Sequence, residues 1–335
     1  MILVTGGTGL VGSHLLFELV STNQIIRAIY RDEAKLELVK KVFSYYCEET
    51  NLLFNKVDWV KADLLDVPTL NDVFNGITHV YHCAAFISFD PKDYHKLRKT
   101  NIEGTANIVN LCLSNTISKL CYVSSISTLG SKDDNSLIDE ETYWNPEANN
   151  SVYGITKYGA EMEVWRGTQE GLNTVIVNPG LILGPGFWNA GSGLLFKEVY
   201  QGLSYYVTGT SGYVDVKDVV KCMIFLMNSE LTNNRYILVS ENLSFRQFTE
   251  IASLYLGVKA PKKSLTPLML KIGWRFDWLF SFITGKSRRL TKHRADKALT
   301  ISNYSNQKIK GTIDFNFTKI ENSIKAISQQ FLKER

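Results

Sequence analysis

The segment Tyr153-Gly154-Ile155-Thr156-Lys157 sets a phenol and an ammonium four residues apart, on one face of a helix. An ammonium beside a phenol favours the phenolate, which would lower the tyrosine pKa from about 10. Tyr153 is then suited to give a proton to, or take one from, a carbonyl or alcohol oxygen. Ser125, at the end of an apolar run, offers a hydroxyl that can hold the same oxygen. A second chemically loaded stretch is Thr5-Gly6-Gly7-Thr8-Gly9-Leu10-Val11-Gly12. Its glycines allow a tight turn and close approach to a pyrophosphate, and the helix start that follows offers free N–H groups and partial positive charge. The spacing is G-x-x-G-x-x-G rather than G-x-G-x-x-G. An ordinary tight turn is the alternative, and the strand-to-helix context argues against it.

The elements that must position these groups follow from hydrophobic periodicity. Met1–Val4 reads as a strand and His14–Val20 as a helix with Leu15, Leu16 and Leu19 on one face. Further strands are expected at 24–30, 57–62, 78–83, 119–124 and 173–177, with helices at 35–49, 68–74, 94–114 and 152–168 between them. Such alternation predicts an α/β fold, a doubly wound parallel sheet with right-handed crossovers. A polar loop, Ser131–Asn150, interrupts it. Beyond Pro179 the glycines at 184, 186, 191 and 193 mark irregular loops, and 245–256, 266–283, 292–299 and 318–331 read as helices. A dinucleotide-binding domain over 1–178 and a smaller, mostly helical substrate domain over 179–335 are expected, with 213–240 returning to the sheet.

Composition narrows the class. With 335 residues, 44% hydrophobic and 21% charged, the chain can bury a sizeable core. A net charge of +4 and the lack of a long basic run argue against nucleic acid. The five cysteines form no C-x-x-C, the five histidines are scattered, and no metal site is expected. With a strand starting at Met1, no leader peptide is expected, and no stretch reaches the roughly 18 apolar residues of a membrane span. A cytoplasmic location is the expectation.

These residues resemble the extended branch of the short-chain dehydrogenase/reductase superfamily, the NAD-dependent epimerase/dehydratase family, over nearly the whole chain. The matching motifs are the glycine run 5–12, Asp63-Leu64, Cys83-Ala84-Ala85, Asn101-Ile102-Glu103-Gly104-Thr105, Ser124-Ser125, Tyr153 to Lys157 and Asn178-Pro179-Gly180. The resemblance implies a Rossmann fold and hydride chemistry. It makes Tyr153 the general acid/base, Lys157 the group that lowers its pKa and binds the nicotinamide ribose, and Ser125 the holder of the substrate oxygen. Ser124 is the competing serine. Asn101 matches the asparagine of the family's proton relay; a helix amide satisfying backbone groups is the other reading. Asp63 matches a carboxylate at the adenine amino group, or is simply a turn residue. Leu64, residues 83–85 and residues 178–180 are implied to border the cofactor.

An NAD-preferring site usually ends its second strand with an acid. Here Tyr30 and Arg31 stand there, and a guanidinium can pair with a 2′-phosphate. NADP(H) is therefore expected, with NAD(H) as the alternative because Asp32 and Glu33 could reach the ribose. The positions after Ser125 are Ile126 and Ser127 rather than acids, which disfavours dehydration. The expected function is an NAD(P)-dependent oxidoreductase acting on a ketone or secondary alcohol, resembling dihydroflavonol reductases and 3β-hydroxysteroid dehydrogenases. A nucleotide-sugar 4-epimerase with tightly held NAD is the alternative, and a non-catalytic NADP sensor a minor one.

Phe86, Phe89, Phe187 and Trp188 follow strand ends and are candidates to line the substrate site beside Ser125; the loops 131–150 and 184–193 could close over it. The aromatic stretch Leu268–Ile283, with Lys286, Arg288 and Arg289 behind it, is expected to cover the pocket or pack within the smaller domain. Lying on a membrane surface is its alternative. A homodimer through the helices starting near Tyr94 and Val152 is common in the family.

Overall fold

A computed structural model describes residues 1–335 apart from 133–135, 285–287 and 289. The apolar runs of the first half form β1 (Ile2–Thr5), β2 (Ile26–Tyr30), β3 (Val57–Lys61), β4 (His79–His82), β5 (Lys119–Val123) and β6 (Thr174–Pro179). Then come β7 (Leu181–Leu183), β8 (Tyr205–Tyr206), β9 (Thr210–Asp215), β10 (Asn234–Leu238), β11 (Glu241–Ser244) and β12 (Lys263–Ser264). The main sheet has seven strands in the order β10-β6-β5-β4-β1-β2-β3, all paired in parallel. β7, β9 and β11 make a second, three-stranded sheet, and β8 pairs with β12.

Helices cover both faces, as a parallel sheet requires. One face buries Leu15, Leu16 and Leu19 of the helix Leu10–Ser21 with Val219, Met223 and Leu226 of the helix Val216–Asn228. The other buries Ile108, Val109 and Cys112 of Gly104–Ser114 with Ala160 and Val164 of Val152–Gln169. This is the doubly wound, Rossmann-type α/β fold. The strand order reverses between β1 and β4, opening a crevice at their carboxyl ends. A separate core joins the helices Gly191–Gln201, Phe245–Leu256 and Ile320–Lys333.

Local deviations from periodicity have physical causes. The helix expected over 35–49 ends at Phe43, and a separate short helix spans Thr50–Phe54. Tyr46 has left the helix to stack on Phe17 and bond His14 Nδ1 at 2.5 Å. The helix expected over 94–114 is continuous but widens to a π-turn at Arg98–Glu103, around Asn101. Such bulges aim a side chain that a regular turn would misdirect. The described residues 138–144 of the loop after Ser131 are tied to the rest of the fold. Glu140 accepts the Ile237 N–H at 2.8 Å, Ile138 bridges to Tyr304, and Trp144 stacks on Tyr158 at 4.6 Å. The aromatic stretch forms the helix Pro267–Thr284 as its periodicity predicts, yet only Leu270 and Ser281 of it are buried. Packing within the smaller domain is thus not what most of its apolar residues do. Of the cations behind it, Lys286 and Arg289 lie outside the described residues.

Candidate active site

The glycine run leaves β1 and enters the helix Leu10–Ser21 through Gly9 as its N-cap. Gly6 adopts a left-handed φ of 70°, and a Cβ there would sit 2.6 Å from the Ala84 nitrogen. A Cβ on Gly12 would lie 2.2 Å from the Gly6 carbonyl oxygen. Both positions therefore demand glycine, for conformation at one and for closeness at the other. The turn formed by Thr5 to Gly12 sits at the reversal point of the sheet, facing the loop Cys83-Ala84-Ala85 that leaves β4. Backbone N–H groups at a helix start in such a crevice suit a pyrophosphate.

On the other side of the crevice, the helix Val152–Gln169 is capped by Ser151, whose hydroxyl accepts the Gly154 N–H at 2.8 Å. Its first turn presents Tyr153, half-buried, with the Ser125 hydroxyl beside the phenol. Ser125 itself is fixed by accepting bonds from the Ser127 N–H at 3.1 Å and hydroxyl at 3.0 Å. Ser124 points the other way, into the core, and donates to Glu161 at 2.5 Å. The Phe89 ring lies 5.5 Å from that of Tyr153.

Lys157 is 1% exposed, and its Nζ donates to the Tyr122 hydroxyl at 2.7 Å and the Val123 carbonyl at 2.8 Å. An ammonium has a third donor for a ribose hydroxyl. The electrostatics differ from the sequence expectation. Burial pushes the Tyr153 phenol up to about 12, opposed by the Ser125 hydroxyl. Burial pushes Lys157 down to about 7, opposed by the Glu161 carboxylate. Desolvation disfavours both charged forms and is the largest cause of each shift. Tyr153 is therefore held as a neutral phenol at neutral pH.

Beneath these residues run two buried networks that motif reading missed. In the first, Thr5 Oγ1 bonds His82 Nδ1 at 2.6 Å, and His82 Nε2 bonds Thr105 Oγ1 at 3.0 Å. Tyr122, whose hydroxyl receives Lys157, stacks on the His82 ring. Burial pushes His82 down to about 3, so it is neutral, with one ring nitrogen donating and the other accepting. The glycine turn and Lys157 thus border one buried polar cluster. The signal available was a pair of polar rings, His82 and Tyr122, at matching positions on neighbouring apolar strands, where they stack 5.5 Å apart.

The second network centres on Glu161, fully buried and one helical turn beyond Lys157. Its Oε2 accepts from Ser124 at 2.5 Å, Thr128 at 2.8 Å and Asn178 at 2.9 Å. Its Oε1 accepts from Trp165 at 3.3 Å and Arg235 at 3.1 Å. One carboxylate therefore fixes the helix Val152–Gln169 against β5, β6, β10 and the turn carrying Ser125. Tyr153, Lys157 and Glu161 recur every four residues, so the shared face was legible.

Other expected residues are distributed unevenly. Asn101, 1% exposed, accepts the Phe86 N–H at 2.7 Å and donates to the Phe86 carbonyl at 3.0 Å and Thr156 at 3.2 Å. Its amide satisfies the Phe86 backbone and pins the loop after β4. Asn178 spends its amide N–H groups on Thr128, the Ser125 carbonyl and Glu161. Leu64 turns its side chain into the core against Gly104. Neither side chain is presented to the crevice, because each fills space or satisfies polar groups beneath it. Pro179 is buried at the end of β6, and Gly180 lies against Gly212, where a Cβ would meet a carbonyl at 2.4 Å.

At the ends of β2 and β3, Tyr30 lies edge-on to Trp59 and Arg31 faces Asp63 across 3.6 Å. Asp63 also accepts the Leu65 N–H at 2.9 Å, so it is a turn residue as well as an anion beside Arg31. Phe86 carries Lys96 over its ring at 4.3 Å. Phe187, half-buried, lies in the loop whose Gly184 packs against Leu10. Trp188 is drawn away from the crevice: it packs edge-on to Phe331 and donates to Glu334 at 2.5 Å, which also takes Lys41 at 2.6 Å. Its indole N–H needs an acceptor once half-buried, and the C-terminal helix supplies it.

Comparison with known proteins fits this architecture. A protein of Synechocystis sp. provisionally named a dihydroflavonol 4-reductase is 30% identical over 82% of this chain and 77% of its own length. The dihydroflavonol 4-reductase of Gerbera hybrida is 26% identical over 74% of this chain and 70% of its own. Among solved structures, the UDP-glucose 4-epimerase of Thermotoga maritima superposes with a TM-score of 0.76 at 19% identity, covering 99% of both chains. The model of the NAD dependent epimerase/dehydratase family matches residues 2–238, which hold the glycine turn, Ser125, Tyr153 and Lys157. The chain belongs to that family.

Proposed function

We propose that the protein is an NADP(H)-dependent reductase or dehydrogenase that moves a hydride between the nicotinamide and the carbon of a ketone or secondary alcohol. The observation that carries this reading is the protonated Tyr153 phenol beside the Ser125 hydroxyl, above a buried Lys157. In reduction, Ser125 and Tyr153 hold the carbonyl oxygen, and Tyr153 gives it a proton as the carbon accepts the hydride. Lys157 then stabilises the tyrosinate that remains.

The cradle fits a dinucleotide, since Gly6 and Gly12 leave room at the reversal point that a side chain would fill. The Gly6 to Gly12 backbone would hold the pyrophosphate, Lys157 the nicotinamide ribose and Arg31 a 2′-phosphate. When bound, the nicotinamide supplies or accepts the hydride. Arg31, half-exposed and oriented by Asp63, favours NADP(H) over NAD(H). Residues beyond 178, apart from the helix Val216–Asn228 and β10, would form the substrate side, and Phe89 would sit beside the reacting oxygen. The Synechocystis and Gerbera relatives are named as dihydroflavonol reductases, which supports an external carbonyl substrate.

Tyr153→Phe tests the reading. NADPH binding should persist while turnover of ketone substrates falls by about two to four orders of magnitude. Full turnover in this variant would reject it. Stoichiometric NAD released from the denatured wild type would instead favour the nucleotide-sugar epimerase.

A further inference from the structure

A surface helix ordinarily turns its apolar stripe inward and its polar face to water. The helix Pro267–Thr284 instead leaves most of its large apolar side chains facing outward. Its inward positions are Leu270, Gly273, Trp274, Asp277 and Ser281, at helical spacing. Asp277 accepts the Leu290 N–H at 3.1 Å, and Ser281 receives Lys92 at 3.4 Å. The outward face carries Leu268, Ile272, Phe276, Leu279 and Ile283, flanked by Trp278 and Phe282, which stack on each other at 5.9 Å. Phe276 is 67% exposed, Phe282 74% and Ile283 72%. Among the described residues, nine of the 24 exposed large hydrophobic side chains fall on these 18 positions. An apolar patch of this density marks a contact surface.

Charge says what kind. Residues 257–300 contain eleven Lys and Arg and only two Asp, whereas the remainder of the chain holds 26 basic and 31 acidic residues. The apolar face thus sits in the one strongly cationic region of an otherwise acidic protein. A second copy of the chain docked face to face would bring two such regions together, and like charges oppose that. An anionic lipid surface complements both features: it takes the aromatic face at the acyl boundary and the cations at the headgroups. Among the described residues no helix is long and apolar enough to cross a membrane, so contact would be peripheral.

We propose that the helix Pro267–Thr284 docks the protein on anionic lipid bilayers. The site's position gives the contact a purpose. The segment behind the helix places the Arg288 N–H on Asp90 at 3.2 Å and the Arg294 guanidinium over Phe89 at 4.8 Å, and Phe89 borders Tyr153. Docking there sets the mouth of the crevice at the lipid surface. On the reductase reading, it favours an apolar ketone or alcohol that partitions into the bilayer; the docking itself does not rest on that reading.

Sedimentation with vesicles tests it without any activity assay. The full chain should pellet with phosphatidylglycerol-containing vesicles at low salt, much less with pure phosphatidylcholine, and be released by high salt. The variant Phe276→Ser/Phe280→Ser/Phe282→Ser, altered only at exposed positions, should bind about tenfold or more weakly while melting like the wild type. Brominated lipid should quench the wild-type tryptophan fluorescence, and Trp278→Phe should remove that quenching, which keeps a readout if the triple variant misfolds. Failure to pellet with anionic vesicles, or undiminished binding by a folded triple variant, overturns the proposal. Concentration-dependent dimerisation abolished by the same substitutions, without vesicle binding, assigns the face to a second copy and overturns it as well.

Discussion

Glu161→Gln isolates what the buried carboxylate contributes. The substitution keeps shape and volume but replaces one acceptor oxygen by an N–H₂. With the remaining oxygen on the Ser124, Thr128 and Asn178 side, the new donor faces the Trp165 N–H and the Arg235 guanidinium, both donors only. Turning the amide over sets it against the Asn178 N–H₂ instead. Either orientation strands at least one buried donor, at about 1–3 kcal/mol each. It also removes the anion from an ion pair whose members are 0% and 18% exposed. Breaking such a pair costs about 3–5 kcal/mol, and the bonds Arg235 keeps to the Glu140 carbonyl set the expectation near the lower figure. Urea unfolding at pH 7 should show that loss as a lower midpoint at unchanged slope. Glu163→Gln, which breaks only the half-exposed pair with Arg166, should cost under about 0.5 kcal/mol and serves as the control. The Glu161 charge also holds Lys157 protonated, so the variant's loss of reductase activity with rising pH should begin at lower pH. A Glu161→Gln protein as stable as the control, with an unmoved pH profile, would refute the network's role.

Lys157 titrating near 7 gives two pH dependences. Its folded pKa lies below the ordinary lysine value of 10.5, so between those limits the unfolded chain binds more protons, and its contribution to stability rises with pH. Wild type should therefore gain stability relative to Lys157→Met from pH 7 to pH 9.5 in paired urea titrations; a constant gap would contradict the shift. In the free enzyme kcat/KM for ketone reduction should fall above about pH 7 as the ammonium is lost, and a flat profile to pH 9 would remove that role. For cofactor choice, Arg31→Ala should weaken NADPH by about tenfold or more and NADH little, read by fluorescence titration. Equal losses would show that the guanidinium meets no phosphate.

The sequence alone determined the alternation of strand and helix, the glycine turn, and Tyr153, Lys157 and Ser125. Each of these is local: periodicity follows from which residues must be buried along one element, and a turn with a left-handed residue and close backbone contacts demands glycine where it occurs. Tertiary structure decided what depends on partners distant in the chain. The sign of the pKa shifts is one such outcome, since desolvation depends on everything packed around Tyr153 and Lys157. So is the use of Asn101 and Asn178, whose amides were consumed by backbone and side chains 15 to 55 residues away. Trp188 packs on the C-terminal helix, because Glu334, 146 residues on, offers its indole an acceptor. The helix Pro267–Thr284 was legible as a helix, but its apolar residues give no direction by themselves. Only packing, through the inward turn of Asp277 and Ser281, left its aromatic face pointing out.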